Sequence, residues 1–168
     1  MIPRRERAAF DGFVTSSSNR LLRTAYLLCG DRGHAEDLVQ TALMRTARRW
    51  RQAREAPEAY ARRVLVNLAK DRHRQLRRRP REASLEIDVI DRAAPASATD
   101  HDELMQAFRR LPDGQRAVLA LRFFDDLSVS ETAAALGCSA GTVKSQTSRA
   151  LLSLRSALAP TKETTHAH

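Results

Sequence analysis

The stretch SAGTVKSQTSRALLSLR, residues 139–155, decides how the chain is read. Its first half is small and polar, with a glycine where helices rarely favour one. Its second half carries leucines at helical spacing. On a helical wheel Val143, Thr147, Ala150, Leu151, Leu154 and Leu158 share one face, and Lys144, Ser145, Ser148 and Arg149 lie on the remainder. Just upstream, Ser128 and Glu131 form an S-x-x-E capping box, which satisfies backbone donors at a helix start. Ala133, Ala134 and Leu136 follow, and Gly137 is suited to the left-handed turn that ends a helix. Ser139 is then placed to cap a second helix. A short helix, a glycine turn and a newly capped helix make a helix-turn-helix. A helix whose front enters a groove needs short polar side chains there, which answers why the leucines wait for the rear. Gly141 and Ser145 allow close approach, Lys144 and Arg149 reach bases or phosphates, and Ser139 and Thr142 lie at an N-terminus whose free N–H groups suit a phosphate. A capped amphipathic helix with a merely solvated polar face is the plainer alternative.

Composition agrees with a polyanion as partner. Lys plus Arg number 29 against 20 acids in 168 residues, a net charge of +9. Nearly all of the basic charge is Arg. Gly and Pro are scarce, and Val and Ile do not alternate, so the fold class expected is all-α. Cys29 and Cys138 stand far apart without metal-ligand spacing, and read as free thiols in a reducing compartment. Neither a signal peptide nor a membrane span is legible, so the expected location is cytoplasmic, with no membrane partner. No metal site and no cofactor are expected; the terminal HAH reads as a frayed tail.

Charge also divides the chain. Residues 62–81 hold nine Lys or Arg against one acid, and residues 82–103 hold seven acids against one Arg. The acidic stretch lacks periodicity and reads as a flexible linker. The expected architecture is therefore two small helical domains joined by an acidic tether: 1–80, a linker at 81–101, a helix-turn-helix domain at 102–160 and a disordered tail at 161–168. In the first domain one helix runs from about Glu6 to Leu28, either continuous or broken at Ser16–Ser18. A second covers about 34–50, with Glu36 and Asp37 in its first turn. A third begins near Pro57 and ends in the arginine cluster before Pro80. Trp50 reads as core. In the second domain, helices through Leu104–Leu111 and Asp113–Phe124 precede the helix-turn-helix, and the pair Asp125–Asp126 reads as turn chemistry.

The order AEDLVQ (35–40), RRVLVNLAKDRHR (62–74) and LPDGQRAVLALRFFDDLSVSETAAALGCSAGTVKSQTSRAL (111–151) resembles a bacterial extracytoplasmic-function sigma factor, a small two-domain member of the sigma-70 family. The resemblance covers about residues 7–158, and GDRGHAEDLVQ with the arginine-rich third helix looks like an actinobacterial subgroup. It implies a promoter-specificity subunit and not an enzyme. The first domain would be region 2, whose second helix docks on the β′ coiled coil of core RNA polymerase through Asp37 and Gln40. Dipole stabilisation is the other reading of Asp37. The third helix would line the −10 element with Tyr60, Arg63, Asn67, Lys70, Asp71 and Arg72. Asn67 would help capture a flipped base, since an amide both donates to and accepts from a base edge; a polar residue packed between helices is the alternative. The segment 51–57 would form the base pocket.

The second domain would be region 4, reading the −35 element with Ser139, Thr142, Lys144, Ser145, Ser148 and Arg149 and meeting the β flap. Many family members place an aromatic-rich segment before the third helix, whereas here only Tyr60 lies nearby. Melting would then lean on polar capture and on arginines over the backbone. The acidic tether would run toward the RNA exit path, or act as a solvated spacer. An anti-sigma factor is a further implied partner. The free chain is expected to be a monomer with loosely tethered domains. A dimeric repressor is the competing class, but no dimerisation helix is evident. A nucleic-acid enzyme would need paired carboxylates, a metal set or an activated nucleophile, none of which stands out.

Overall fold

The computed structural model describes residues 1–78 and 100–160, and among them every regular element is helical. After a 3-10 turn at Arg4–Glu6, α1 spans Arg7–Cys29. It runs unbroken through the serines that left its continuity open. Ser16 donates to the Phe13 carbonyl at 3.1 Å and Thr15 to that of Asp11 at 3.0 Å, so the hydroxyls bond back onto their own helix. Gly30, at φ 73°, ends α1 in the left-handed conformation, its N–H reaching the Tyr26 carbonyl at 2.8 Å.

Helix α2, Arg32–Arg48, starts two residues earlier than its apolar pattern indicates, because Asp31 caps it by accepting from the His34 N–H at 2.9 Å. That bond holds the Asp31 carboxyl below its ordinary pKa. Glu36 and Asp37 consequently fall just past the first turn. The second helix ends at Arg48, short of the expected residue 50, and a short α3, Trp50–Ala53, runs from there into the segment 51–57 read as the base pocket; α4 runs Pro57–Arg78. The first core gathers Phe13, Leu21, Ala25, Val39, Ala42 and Leu65 around a buried Trp50. The Phe10 ring meets Trp50 edge-on at 5.2 Å. Burying one such aromatic contributes about 3 kcal/mol.

The C-terminal domain begins with α5, Asp100–Arg109, two residues inside the stretch assigned to the linker. Pro112 then starts α6, Asp113–Leu119, which widens into a π turn over Ala120–Phe124. Helices α7, Val129–Leu136, and α8, Ala140–Leu158, complete it. The rest of the acidic stretch, residues 82–99, lies outside the described residues, as does the tail 161–168.

The domains do not stand apart as loosely tethered bodies. One apolar cluster joins Leu27 and Leu28 of α1 and Val66 and Ala69 of α4 to Val118, Leu121, Leu136 and Val143 of the C-terminal domain. The physical reason is a second apolar strip on α4. Leu65 faces its own bundle, while Val66 and Ala69 face outward and need a cover.

Candidate nucleic-acid interface

The helix-turn-helix forms with the predicted caps. Ser128 Oγ accepts from the Glu131 N–H at 3.1 Å, and the Glu131 carboxylate accepts from the Ser128 N–H at 2.7 Å. The backbone N–H of Ser128 holds the Glu131 carboxyl below its ordinary pKa. Gly137, at φ 67° and ψ 37°, makes the left-handed turn. Ser139 Oγ accepts from the Thr142 N–H at 3.1 Å and lies 3.0 Å from the Thr142 hydroxyl. The caps therefore occupy part of the polar capacity that the sequence assigned to a phosphate at Ser139 and Thr142. Both residues are nevertheless exposed.

Val143 and Ala150 are fully buried and fix the rear of α8 against the domain. Leu151 and Leu154 are half-buried, whereas Leu158, 42% exposed, falls beyond the end of that core. Gly141, Lys144, Ser145, Ser148 and Arg149 all stand exposed on the opposite side. At 3.6 residues per turn they form one contiguous face, with Gly141 near its middle. Such a face, presented by the N-terminal half of a helix, has the dimensions and chemistry to enter a major groove.

Helix α4 divides its candidate residues between faces. Tyr60, Arg63, Asn67 and Asp71 lie together on one side; the last three are exposed and Tyr60 is half-buried. Asn67 is thus on an open surface and is not packed between helices. Lys70 sits on the side covered by the C-terminal domain, where its ammonium donates to the Leu136 carbonyl at 2.6 Å. Arg72 turns toward the end of α1, where its positive charge acts on Cys29 and Asp31. Burial, the larger influence, pushes the Cys29 thiol up. On α2, Asp37 and Gln40 are both exposed, one turn apart. Met44, 58% exposed, continues their face and lies outside the apolar series Ala35, Leu38, Val39, Ala42, Leu43, Thr46 and Ala47 that the sequence offers for this helix.

Among the described residues no group of three or more His, Cys, Asp or Glu is arranged to hold a metal ion. None of the described helices is long and apolar enough to cross a membrane. Both cysteines are free thiols.

Two family models match: Sigma-70 region 2 over residues 13–79 and Sigma-70 region 4 over residues 101–154. The RNA polymerase sigma-E factor of Streptomyces coelicolor is 41% identical over 153 residues, covering 89% of this chain and 85% of the relative. The ECF RNA polymerase sigma factor SigM of Mycobacterium tuberculosis is 32% identical, over 86% of this chain and 74% of its own. Among solved structures, the Bartonella quintana sigma factor RpoE, bound to the anti-sigma factor NepR, superposes with a TM-score of 0.67 at 27% identity. That match covers 89% of this chain and 96% of the other. CnrH, in complex with the cytosolic domain of CnrY, shares the fold at a TM-score of 0.62 and 22% identity, over 89% of this chain and 87% of its own. The chain belongs to the sigma-70 family of RNA polymerase sigma factors, in its extracytoplasmic-function group.

Proposed function

We propose that the exposed polar face of α8 reads the −35 promoter element while the Asn67 face of α4 takes the separated strand of the −10 element. The observation that carries this is the coexistence of two open polar surfaces in one sigma-family chain. One lies on a helix set by the Gly137 turn, the other on the basic helix α4. Lys144 and Arg149 supply the charge for phosphates and base edges, and Ser145 and Ser148 leave room for approach. On α4, Asn67 offers its amide to a displaced base, Arg63 neutralises backbone charge, and Tyr60 provides the one nearby ring for stacking.

The chain acts as a specificity subunit rather than an enzyme, and it works in the cytoplasm alongside its polymerase. Asp37 and Gln40, with Met44 one turn further on, form the surface that grips the β′ coiled coil of core polymerase, and the C-terminal domain meets the β flap. An anti-sigma factor is a fitting regulator, since the Bartonella quintana sigma factor RpoE is held by the anti-sigma factor NepR in its solved complex. Transcription in vitro with core polymerase over a randomised promoter library tests the whole reading. Selected promoters should share two elements at fixed spacing, and Lys144→Ala should weaken selection only at the upstream one. A chain that joins no core polymerase at any salt concentration would overturn it.

A further inference from the structure

Where α4 meets the C-terminal domain, most polar groups hold one another. Arg62 Nε lies 3.4 Å from the Asp125 carboxylate. Asp113 is held by Arg77 at 2.7 Å and by Arg116 at 2.9 Å, with His73 Nδ1 at 3.7 Å. His73 Nε2 lies 3.1 Å from the Leu28 carbonyl, and the Thr142 hydroxyl lies 3.0 Å from Ser139 Oγ. The Asp125 side chain is only 2% exposed, so the reading of the acidic pair as turn chemistry holds for Asp126, exposed at φ 52°, and fails for Asp125.

Between these contacts the packing is incomplete. A cavity of about 190 Å³, partly open to solvent, is walled by Leu28, Val66, Ala69, Ala117, Val118 and Leu136. The Cys138 thiol adds to that wall as a small apolar group. Protein interiors keep few voids larger than a water molecule. An apolar void of about 150 Å³ takes up benzene, so this one accommodates a benzene ring with about 40 Å³ to spare for one small substituent.

Two polar groups at the cavity edge keep unused capacity. Lys70 reaches the cavity, and its ammonium donates to the Leu136 carbonyl at 2.6 Å. An ammonium carries three donors, and no carboxylate among the described residues pairs with this one. Gln146, half-buried on α8, folds against α6: a Cβ on Gly114 would stand 3.3 Å from its amide nitrogen. Its carboxamide lines the cavity and makes no hydrogen bond among the described residues. Asp113, the acid at this edge, is already matched by two guanidinium groups and so does not cancel the Lys70 charge. An uncompensated cation and free amide donors therefore stand beside an apolar slot.

We propose that this cavity binds a small aromatic carboxylate, with its ring among Val66, Ala69 and Val118 and its carboxylate accepting from the Lys70 ammonium and the Gln146 amide. The apolar wall selects the ring, and the edge selects the anion. Charge-assisted hydrogen bonds to a carboxylate are about twice as strong as neutral ones. The net charge of +9 on the chain favours the approach of an anion as well. The site lies on the covered side of α4, away from the Asn67 face, so it stands or falls independently of promoter reading.

The test titrates the isotope-labelled full chain at fixed ionic strength and follows its backbone amide shifts by nuclear magnetic resonance. Sodium benzoate should saturate with a Kd of about 0.1–1 mM, within reach of a ligand of about nine heavy atoms. The shifts should centre on Val66, Ala69, Val118 and Leu136. Nitrobenzene, neutral and of the same shape, should bind about tenfold more weakly. Acetate, which has the charge and no ring, should not saturate. Lys70→Met should bring benzoate down to the level of nitrobenzene and leave nitrobenzene unchanged, which a collapsed cavity would not do. Ala69→Leu fills the space and should abolish binding of both; if circular dichroism shows lost helicity, Ala117→Leu replaces it, and if both variants unfold, the Lys70→Met comparison decides. Benzoate that fails to saturate, binds no better than acetate, keeps its advantage in Lys70→Met or persists in a folded filled variant overturns the site. None of these outcomes touches the sigma assignment.

Discussion

Replacing Gly141 by alanine should move stability and promoter binding in opposite directions. Gly141 is the second residue of α8 and is not at positive φ. An added Cβ would meet only Ser139 Oγ, at 3.8 Å, an ordinary contact. Within the free chain the methyl group therefore costs nothing sterically and restricts the unfolded backbone. Glycine in a helix interior is about 0.5–1 kcal/mol worse than alanine, and the first turn sits at the lower end of that range. A gain of about 0.5 kcal/mol corresponds to about 2–4 °C in Tm for a domain of this size. The same methyl stands in the middle of the face formed by Lys144, Ser145, Ser148 and Arg149. If that face enters the groove, crowding there costs about 1–3 kcal/mol, by analogy with overpacking in a core, and even 1.4 kcal/mol is about tenfold in affinity. Thermal melting followed by circular dichroism reads the first effect. Footprint titration of the polymerase complex, on promoters with an intact and a scrambled −35 element, reads the second. The variant should melt higher, bind the intact promoter about tenfold more weakly, and match the parent on the scrambled one. Unchanged affinity for the intact promoter would show that the groove does not close on Gly141, and docking of α8 through this face would be wrong.

Thr132 is fully buried, and its hydroxyl has no hydrogen-bond partner among the described residues. Thr132→Val keeps the shape and removes the unpaired group, so chemical denaturation should show a gain of about 1 kcal/mol. Asn67→Ala lies on an exposed surface and should move the melting temperature by no more than about 2–4 °C, since such substitutions stay within about 0.5 kcal/mol. Permanganate footprinting should nevertheless show a loss of strand opening at the −10 element. Acid should act in two opposing stages. Burial raises the Asp125 carboxyl, so the folded chain takes up that proton before the unfolded chain does, and stability rises as pH falls through the raised value. Asp31 and Glu131 are lowered by backbone N–H bonds; their contributions are present above the ordinary carboxylate range and are lost as pH falls through their folded values. Melting temperature against pH should thus pass through a maximum on the acid side, and Asp125→Asn should abolish the rise toward it.

The local chemistry of the helix-turn-helix is legible because each signal lies within a few residues. Ser128 with Glu131, Gly137 and Ser139 specify two helix starts and a turn without reference to anything distant, and the chain obeys them. The start of α2 is less plain, because the apolar period begins two residues later than the Asp31 cap sets the helix. The arrangement of α4 is harder still. Its residues are amphipathic on more than one side, and a wheel cannot say which apolar strip meets the parent bundle and which meets a second domain. Val66 and Ala69 need the tertiary contact to be assigned, and Lys70 groups with Asn67 on paper because sequence spacing alone puts them one turn apart. Asp125 is hidden for a related reason: an acidic pair after a helix is ordinary turn composition, and only the π turn aims the first carboxylate inward. Met44 is within reach of sequence reasoning, since it is a large apolar residue that the α2 pattern does not use.

The Lys70 ammonium rests on the last carbonyl of α7, one residue before the glycine that sets the angle of α8. A foreign reading head grafted onto this body would thus arrive with its hinge already touched by the recipient. Chimeras built to retarget the protein would need matched residues at positions 70, 113 and 125 on the two sides of the junction. Without that match, a graft would meet an incompletely paired junction with its recipient, whatever the bases it contacts.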